Sequence, residues 1–422
     1  MEGDFIKINK WLLPLSWLYG AGVKLRNALF EMGVLKSRSF QVPVISVGNI
    51  TVGGTGKTPH VEYLINLLKD QFNVAVLSRG YKRKSRGFIK ADEHTAMPQI
   101  GDEPYQMKQK FPKVTVAVDK NRCHGIDTLT EQDEHLDVVL LDDAFQHRYV
   151  TPGINILLVD YHRLIIYDKL LPAGRLREPL KGKDWADIVI VTKCPKSLKP
   201  MEYRVITKAM QLYPYQKLFF TTLEYGELKP VFPQAATSAT VGDAAILSQH
   251  TQPSQPPQPS QHTQPSQHTQ PPQLPPLAAH NVLLLTGIGS PEQMEHDLAP
   301  LTGSLTPLTF SDHHQFKKKD VQRINETFAA MDAPKCIVTT EKDATRLQTV
   351  KGLSDEVRQN IHMLPVRITF MQDQTDIFNQ QIIGYVRKNS RNSILAKGKD
   401  DHKSNNGHHT GDRPRTISFR NN

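Results

Sequence analysis

A chain of 422 residues has room for two or three domains and a sizeable core, which excludes a peptide scaffold or a disulfide-stapled module. Fifty-two basic against 42 acidic residues give a net charge of +10, yet nine basic and three acidic residues fall after position 386, so the rest of the chain is close to balance. A solvated tail explains the basic total better than a nucleic-acid surface, and Cys123, Cys194 and Cys336, odd in number and without C-x-x-C spacing, point to a reducing compartment and not to a zinc site.

The first predicted element is a helix near the N-terminus. Trp11 and Trp17 are two of the three tryptophans in the chain, Lys7 and Lys10 precede them, and Leu15, Leu18, Gly22, Leu25, Leu29 and Met32 fall on one stripe at helical spacing. An amphipathic helix with interfacial aromatics and basic flanks suits an anionic membrane surface; packing on its own domain is the alternative. No run of 18 apolar residues offers a membrane span.

From residue 41 the pattern changes to short β-branched runs. Positions 42–47, 74–77, 114–118, 138–141, 154–159 and 188–192 are apolar on both faces, as buried parallel strands are. The first run leads into Gly48-Asn49-Ile50-Thr51-Val52-Gly53-Gly54-Thr55-Gly56-Lys57-Thr58 and then a helix. Here glycines let backbone N–H groups face an oxyanion and the helix N-terminus adds its dipole. Residues 51–58 are therefore the expected nucleotide cradle, with Lys57 on the β- and γ-phosphates and the Thr58 hydroxyl on Mg²⁺. Thr51 stands where a phosphate loop usually has its first glycine.

After the second run, Ser78-Arg79-Gly80-Tyr81-Lys82-Arg83-Lys84 offers cations at the sheet edge, suited to an anionic substrate or simply solvated. Gly101-Asp102-Glu103-Pro104 reads as a turn with two acids, either of which is placed to accept a hydroxyl proton. The run 138–141 ends in Asp142 and Asp143, the Walker-B arrangement of carboxylates at a strand end near Mg²⁺, and Gln146 follows as a residue able to orient phosphate or water. Gly174-Arg175-Leu176-Arg177-Glu178-Pro179 is a second basic edge segment. Val191-Thr192-Lys193-Cys194-Pro195 occupies the place of a guanine-reading Asn-Lys-x-Asp but lacks its acid, which favours ATP over GTP.

Between positions 249 and 277 there are nine prolines and no Asp, Glu, Lys or Arg, and from Gln249 to Gln273 glutamine recurs every third residue, the period of polyproline II, so this stretch reads as a disordered insert. Apolar runs at 282–286, 305–310, 336–340 and 361–366 predict a second, smaller α/β domain. Within it Asp312, His313 and His314 follow a strand, either as a metal-binding pair of histidines or as exposed residues. The organisation is thus a surface helix over 1–40, a phosphate-loop domain over 41–225, a smaller domain over 226–372, a returning segment over 373–388 and a basic tail over 389–422. The fold class is α/β: a mostly parallel sheet with helices on both faces, a smaller α/β domain and the N-terminal helix.

Taken together, eight segments in one order resemble the tetraacyldisaccharide 4′-kinase family of Gram-negative lipid A biosynthesis: Leu-Pro-Leu-Ser-Trp-Leu-Tyr-Gly from position 13, the 47–59 loop, Leu-Ser-Arg-Gly-Tyr from 77, Gly-Asp-Glu-Pro from 101, Leu-Asp-Asp-Ala-Phe-Gln-His from 141, Leu-Pro-Ala-Gly-Arg-Leu-Arg-Glu-Pro from 171, Asp-His-His from 312 and Thr-Glu-Lys-Asp-Ala from 340. The resemblance implies γ-phosphate transfer from ATP to the 4′-hydroxyl of an acylated glucosamine disaccharide 1-phosphate. The place is the cytoplasmic face of the inner membrane, with the protein peripheral or monotopic. It makes Asp102 the general base, supported by His313, with Lys57 and Thr58 keeping their nucleotide roles. Asp142, Asp143 and Glu103 are implied on Mg²⁺, and Arg79, Arg122, Gln146, Arg177 and Glu178 on substrate or phosphate. It implies neither a nucleic-acid nor an obligate protein partner. The alternative from another class is a phosphate-loop ATPase acting as a switch or in metal delivery.

Overall fold

The computed structural model describes residues 6, 8–233, 277–312 and 314–390. The Gln/Pro-rich stretch up to 276, the basic tail beyond 390, Lys7 and His313 lie outside the described residues. The chain divides into two compact units, one formed by the residues up to Glu224 together with those from Arg367, the other by Tyr225–Val366.

The larger unit is built on nine strands: β1 (Val44–Gly48), β2 (Val74–Ser78), β3 (Ile89–Lys90), β4 (Thr115–Val118), β5 (Val138–Asp142), β6 (Ile154–Asp160), β7 (Ile188–Thr192), β8 (Lys217–Tyr225) and, returning from the smaller unit, Val366–Phe370. In the sheet the returning strand lies beside β8, followed by β7, β6, β1, β5, β2, β4 and β3. The pairs from β8 through β4 are parallel and the short edge strand β3 runs antiparallel; at the other edge, Gly226 N–H to Pro365 O and Met371 N–H to Phe220 O set the returning strand antiparallel to β8.

Alternation along the strands shows why both faces are apolar. Val138 and Leu140 of β5 join Ile45 and Val47 of β1 in a core that includes Val61, Leu64 and Ile65 of helix α2 (Lys57–Leu68) and Phe378 and Ile382 of the C-terminal helix Thr375–Asn389. Val139 and Leu141 point the other way, onto Ile126 and Leu129 of a helix over Arg122–Gln132. A sheet covered by helices on both sides must be apolar at successive positions.

The smaller unit has a five-stranded sheet of β9 (Lys229–Pro230), β10 (Asn281–Thr286), β11 (Ser304–Thr309), β12 (Lys335–Thr340) and β13 (Ile361–Leu364), ordered β11-β10-β12-β13-β9 with only β9 antiparallel. The run 361–366, read from sequence as one strand, is divided at Pro365. A proline has no N–H to give the ladder, and the chain beyond it, β14 (Val366–Phe370), belongs to the nine-stranded sheet. From Arg367 on the chain belongs to the larger unit.

Helix α1 (Leu13–Glu31) has its amphipathicity turned outward. Ser16, Gly20, Asn27 and Phe30 are buried, while Leu15, Trp17, Leu18, Leu25 and the flanking Trp11 and Met32 are exposed, Trp11 by 92%. The Ser16 hydroxyl donates to the Leu170 carbonyl at 3.0 Å and accepts from the Ala173 N–H at 3.0 Å. At Gly20 a Cβ would meet Leu170 Cδ1 at 2.7 Å, so the helix lies close against the Leu170 side chain there. No helix among the described residues is long and apolar enough to cross a membrane.

Candidate active site

The glycine-rich loop connects β1 to α2 and rests on three local devices. At Gly48 a Cβ would lie 2.8 Å from Phe145 Cβ and 2.9 Å from the Phe145 nitrogen, so a glycine is required where the loop passes the end of β5. Gly53 and Gly56 hold φ at +121° and +78°, conformations that side chains with a Cβ rarely adopt. Thr51 is not in a glycine-like turn: it forms an antiparallel bridge with Leu176, flanked by Val52 N–H to Arg175 O and Arg177 N–H to Ile50 O, each 2.8 Å. That extended backbone is why the usual first glycine is dispensable. The same pairing delivers Arg177 to the loop.

Asn49, which sequence reasoning passed over, is the hub. Fully buried, it donates from Nδ2 to Thr55 Oγ1 at 2.8 Å. Its side-chain oxygen accepts from Arg177, and its carbonyl accepts from Gln146 Nε2. The only advance signal was an asparagine inside a glycine-rich turn, where a small polar side chain can satisfy backbone and neighbours together.

Lys57 and Thr58 open α2, with the Lys57 ammonium 3.6 Å from Asp143 Oδ1; Arg177 Nη2 lies 3.2 Å from the same oxygen. Burial alone would raise the Asp143 carboxyl, but these two cations hold it below its ordinary range. Asp142, the last residue of β5, is 1% exposed. Its Oδ2 accepts from Ser78 at 3.2 Å and its Oδ1 is buried with no hydrogen-bond partner. Burial first, then the Glu103 and Asp143 charges, push its carboxyl up to about 7. Two adjacent carboxylates thus sit in opposite states, one compensated by cations and one wanting a positive charge.

Asp102 and Glu103 occupy the first turn of a helix over Asp102–Lys110, not a free turn as the sequence suggested. The helix enters through Gly101 at φ +91°, where a Cβ would meet the Tyr81 carbonyl at 2.9 Å; at Gly80 a Cβ would meet the Ile100 carbonyl at 2.8 Å. Two glycines therefore let the 79–81 and 100–102 segments close on each other, which brings Arg79 to the start of the acidic helix. Arg79 is exposed and helps line an open basin of about 620 Å³ whose other cations are Lys82, Arg83, Arg86 and Lys120.

Two predicted substrate residues are held differently. Arg122 is 2% exposed and donates to the carbonyls of Asp119 (2.9 Å) and Asp142 (3.3 Å), so it braces the end of β5 from beneath. Burial draws its guanidinium down to about 10, and its Nε is left unpartnered. Glu178 is buried, with one oxygen accepting from Asn27 Nδ2 at 2.9 Å and the other 3.5 Å from Arg26, both residues of α1. That geometry turns Glu178 toward the helix α1.

In the smaller unit His314 stacks on Phe310 at 4.9 Å and its Nε2 lies 2.9 Å from Asp320, while Asp312 is 3.6 Å from Lys342. His314 is accounted for by these neighbours. In the Thr-Glu-Lys-Asp-Ala segment, buried Asp343 accepts from Gly287 N–H (2.8 Å) and Thr340 Oγ1 (2.7 Å) and pairs with Arg346 (2.9 Å), a network internal to the unit. Among the described residues no three His, Cys, Asp or Glu side chains are grouped as a ready metal site.

Comparison with known proteins places this arrangement in context. The profile of the tetraacyldisaccharide-1-P 4′-kinase family matches residues 8–386. A tetraacyldisaccharide 4′-kinase of Phocaeicola vulgatus is 52% identical over 401 residues, 94% of this chain and 100% of the relative. Its counterpart in Bacteroides thetaiotaomicron is 51% identical over 96% of this chain and 100% of the relative. Among solved structures, LpxK of Aquifex aeolicus, crystallised in complex with ATP, is 28% identical and covers 89% of this chain and 98% of its own, with a TM-score of 0.60.

Proposed function

Because the chain belongs to the tetraacyldisaccharide-1-P 4′-kinase family, we propose that it transfers the γ-phosphate of ATP to the 4′-hydroxyl of a tetraacylated glucosamine disaccharide 1-phosphate. The observation that carries the assignment of roles is the convergence, within the larger unit, of a glycine-rich loop, Lys57, two carboxylates in opposite electrostatic states and an acidic helix start. In this reading the loop N–H groups and Lys57 hold the phosphates. Arg177, fixed by Asn49 and Asp143, adds a cation beside the loop, and Gln146 steadies the Asn49 carbonyl.

The residues fit a magnesium ion. Asp142 presents a buried, unpartnered carboxylate oxygen where its proton affinity is raised, and the Thr58 hydroxyl stands one residue from Lys57; Asp143 and Glu103 supply further negative charge nearby. Magnesium is usually held by one or two carboxylates with phosphate oxygens and water completing the shell, so a preformed protein cage is not required. When bound, the ion neutralises charge developing on the phosphate oxygens.

Asp102 takes the proton of the attacking hydroxyl as general base. It stands in the first turn of the helix over Asp102–Lys110, where its Oδ1 accepts from the Glu103 N–H at 3.1 Å. Arg79 and the neighbouring basin receive negative charge on the substrate. The outward apolar face of α1 lies on the anionic cytoplasmic surface of the inner membrane, where a substrate with four acyl chains resides. With ATP, Mg²⁺ and the acylated disaccharide, the purified protein is expected to yield the 4′-phosphorylated product. Asp102→Ala is expected to reduce kcat by about 10²–10⁴-fold. Undiminished turnover in that variant would remove Asp102 from the role of base.

A further inference from the structure

The segment Val191-Thr192-Lys193-Cys194-Pro195, which lacks a base-reading acid, has a different task in this fold. Lys193 follows β7 directly and is 7% exposed. Its backbone sits at φ +56°, a left-handed conformation costly for a residue with a Cβ and retained where surrounding contacts demand it. Its ammonium donates to Asp160 Oδ2, at the end of β6, over 2.9 Å, and to the Gly54 carbonyl of the phosphate loop. The preceding residue, Thr192, donates from Oγ1 to the Thr55 carbonyl at 3.0 Å. From the other side His60 reaches the Gly56 carbonyl through Nδ1 at 2.7 Å, with Nε2 3.1 Å from Thr221 Oγ1. Three successive loop carbonyls, at 54, 55 and 56, are each held by a side chain.

In a planar trans peptide the C=O of one residue and the N–H of the next point in opposite directions. Holding the carbonyls of Thr55 and Gly56 away from the loop centre turns the N–H groups of Gly56 and Lys57 toward it. Without those side chains a glycine-rich segment has many accessible conformations, and a ligand must supply the ordering.

We propose that Lys193, charge-balanced by Asp160, is a positioning residue that braces the phosphate loop through the Gly54 carbonyl and so sets the affinity for the polyphosphate of the nucleotide, without reading the base. Thr192 and His60 complete the brace. The inference rests on the loop being the nucleotide site.

The test removes both charges at once, because Lys193→Met alone would strand a buried carboxylate. In the Lys193→Met/Asp160→Asn variant, with the fold checked by circular dichroism and melting, calorimetry with Mg²⁺ measures binding of ATP, GTP and inorganic tripolyphosphate. ATP and tripolyphosphate are expected to weaken together by about tenfold, the loss of roughly one charge-assisted hydrogen bond, with the ATP-to-GTP ratio unchanged and the KM for the lipid acceptor unmoved. A merely structural lesion would not separate the two substrates in this way. The proposal is overturned if tripolyphosphate binds the folded variant as it binds the wild type, or if the ATP-to-GTP ratio shifts while tripolyphosphate binding stands. Should the double variant fail to fold, Thr192→Val leaves the ion pair intact and is expected to show a smaller parallel loss; no loss for either ligand overturns the brace. A wild-type protein that binds neither ATP nor tripolyphosphate would instead refute the reading of the loop.

Discussion

The phosphate loop and helix α1 lie at opposite extremes of one physical rule. Around the loop, polar groups are buried and hydrogen-bonded: Asn49, Thr55, Thr192 and Lys193 are each under 10% exposed and each has a partner. In α1 the buried residues are Ser16, Gly20 and Asn27 with a single large apolar side chain, Phe30, while Leu15, Trp17, Leu18 and Leu25 face outward. Buried polar groups with partners give a unique geometry, because each mispairing leaves a donor or acceptor unsatisfied. An exposed row of Trp and Leu side chains gives no geometry of its own and is suited to contact with another apolar phase. One region is therefore built for positional accuracy, the other for partition.

The largest separation between them should come from Lys57. Lys57→Ala removes the cation beside Asp143 and the phosphate ligand, and kcat is expected to fall by about 10²–10³-fold, the scale for losing one preorganised electrostatic contact to a transferring group. Flotation of the same variant with phosphatidylglycerol vesicles should match the wild type. A parallel loss of vesicle binding would show that the two regions are not independent.

How far each region was legible in the sequence follows from the same contrast. The strands of the larger sheet were legible because burial on both faces writes long β-branched runs, and Gly-Lys-Thr after such a run identifies the loop. The register of side chains around the loop was not legible, since it depends on which strand ends are neighbours: Lys193 and Asp160 meet Gly54 only because β7 lies beside β6 and β6 beside β1. Glu178 stood in a basic motif, and its bond to Asn27 across 151 residues could not be read from the sequence. The stripe on α1 was legible as apolar, and the structure turns it outward, the first of the two directions the sequence allowed; periodicity fixes which residues share a face but not which way the face points. The end of β13 was misplaced because the apolar pattern continues through Pro365 while the backbone pairing does not.

The second effect in size concerns the outer face of α1. Trp17→Ser/Leu18→Ser is expected to weaken flotation with phosphatidylglycerol vesicles by tenfold or more, given about 1.5–3 kcal/mol for burying one large apolar side chain. Melting in solution should change by under about 0.5 kcal/mol, as is usual for exposed positions away from special contacts. ATP binding should be unaffected. Vesicle binding equal to the wild type would mean that the outward stripe serves some purpose other than membrane docking.

The smallest effect lies at the one carboxylate that joins the two regions. Glu178 follows Arg177, which touches the loop, and its own oxygens hold Asn27 and Arg26 of α1. Burial raises its carboxyl above the ordinary Glu value, against the lowering effects of Asn27, Arg26, Arg148 and Arg177. A carboxyl whose folded pKa lies above the unfolded value of about 4.3 binds its proton more tightly in the native state. Its contribution to stability is thus fully present below the unfolded value and is lost as pH rises through the folded one. Glu178→Gln cannot titrate and keeps an oxygen for Asn27, so the fall in melting temperature from about pH 4.5 to pH 8 should be shallower in the variant than in the wild type. At pH 8 the two should differ by less than about 1 kcal/mol, because Arg26 is partly exposed and its pair with Glu178 is worth little. An identical pH slope in the two proteins would show that Glu178 does not feel its burial. A large drop in kcat with α1 still docked would return it to the substrate side of the site.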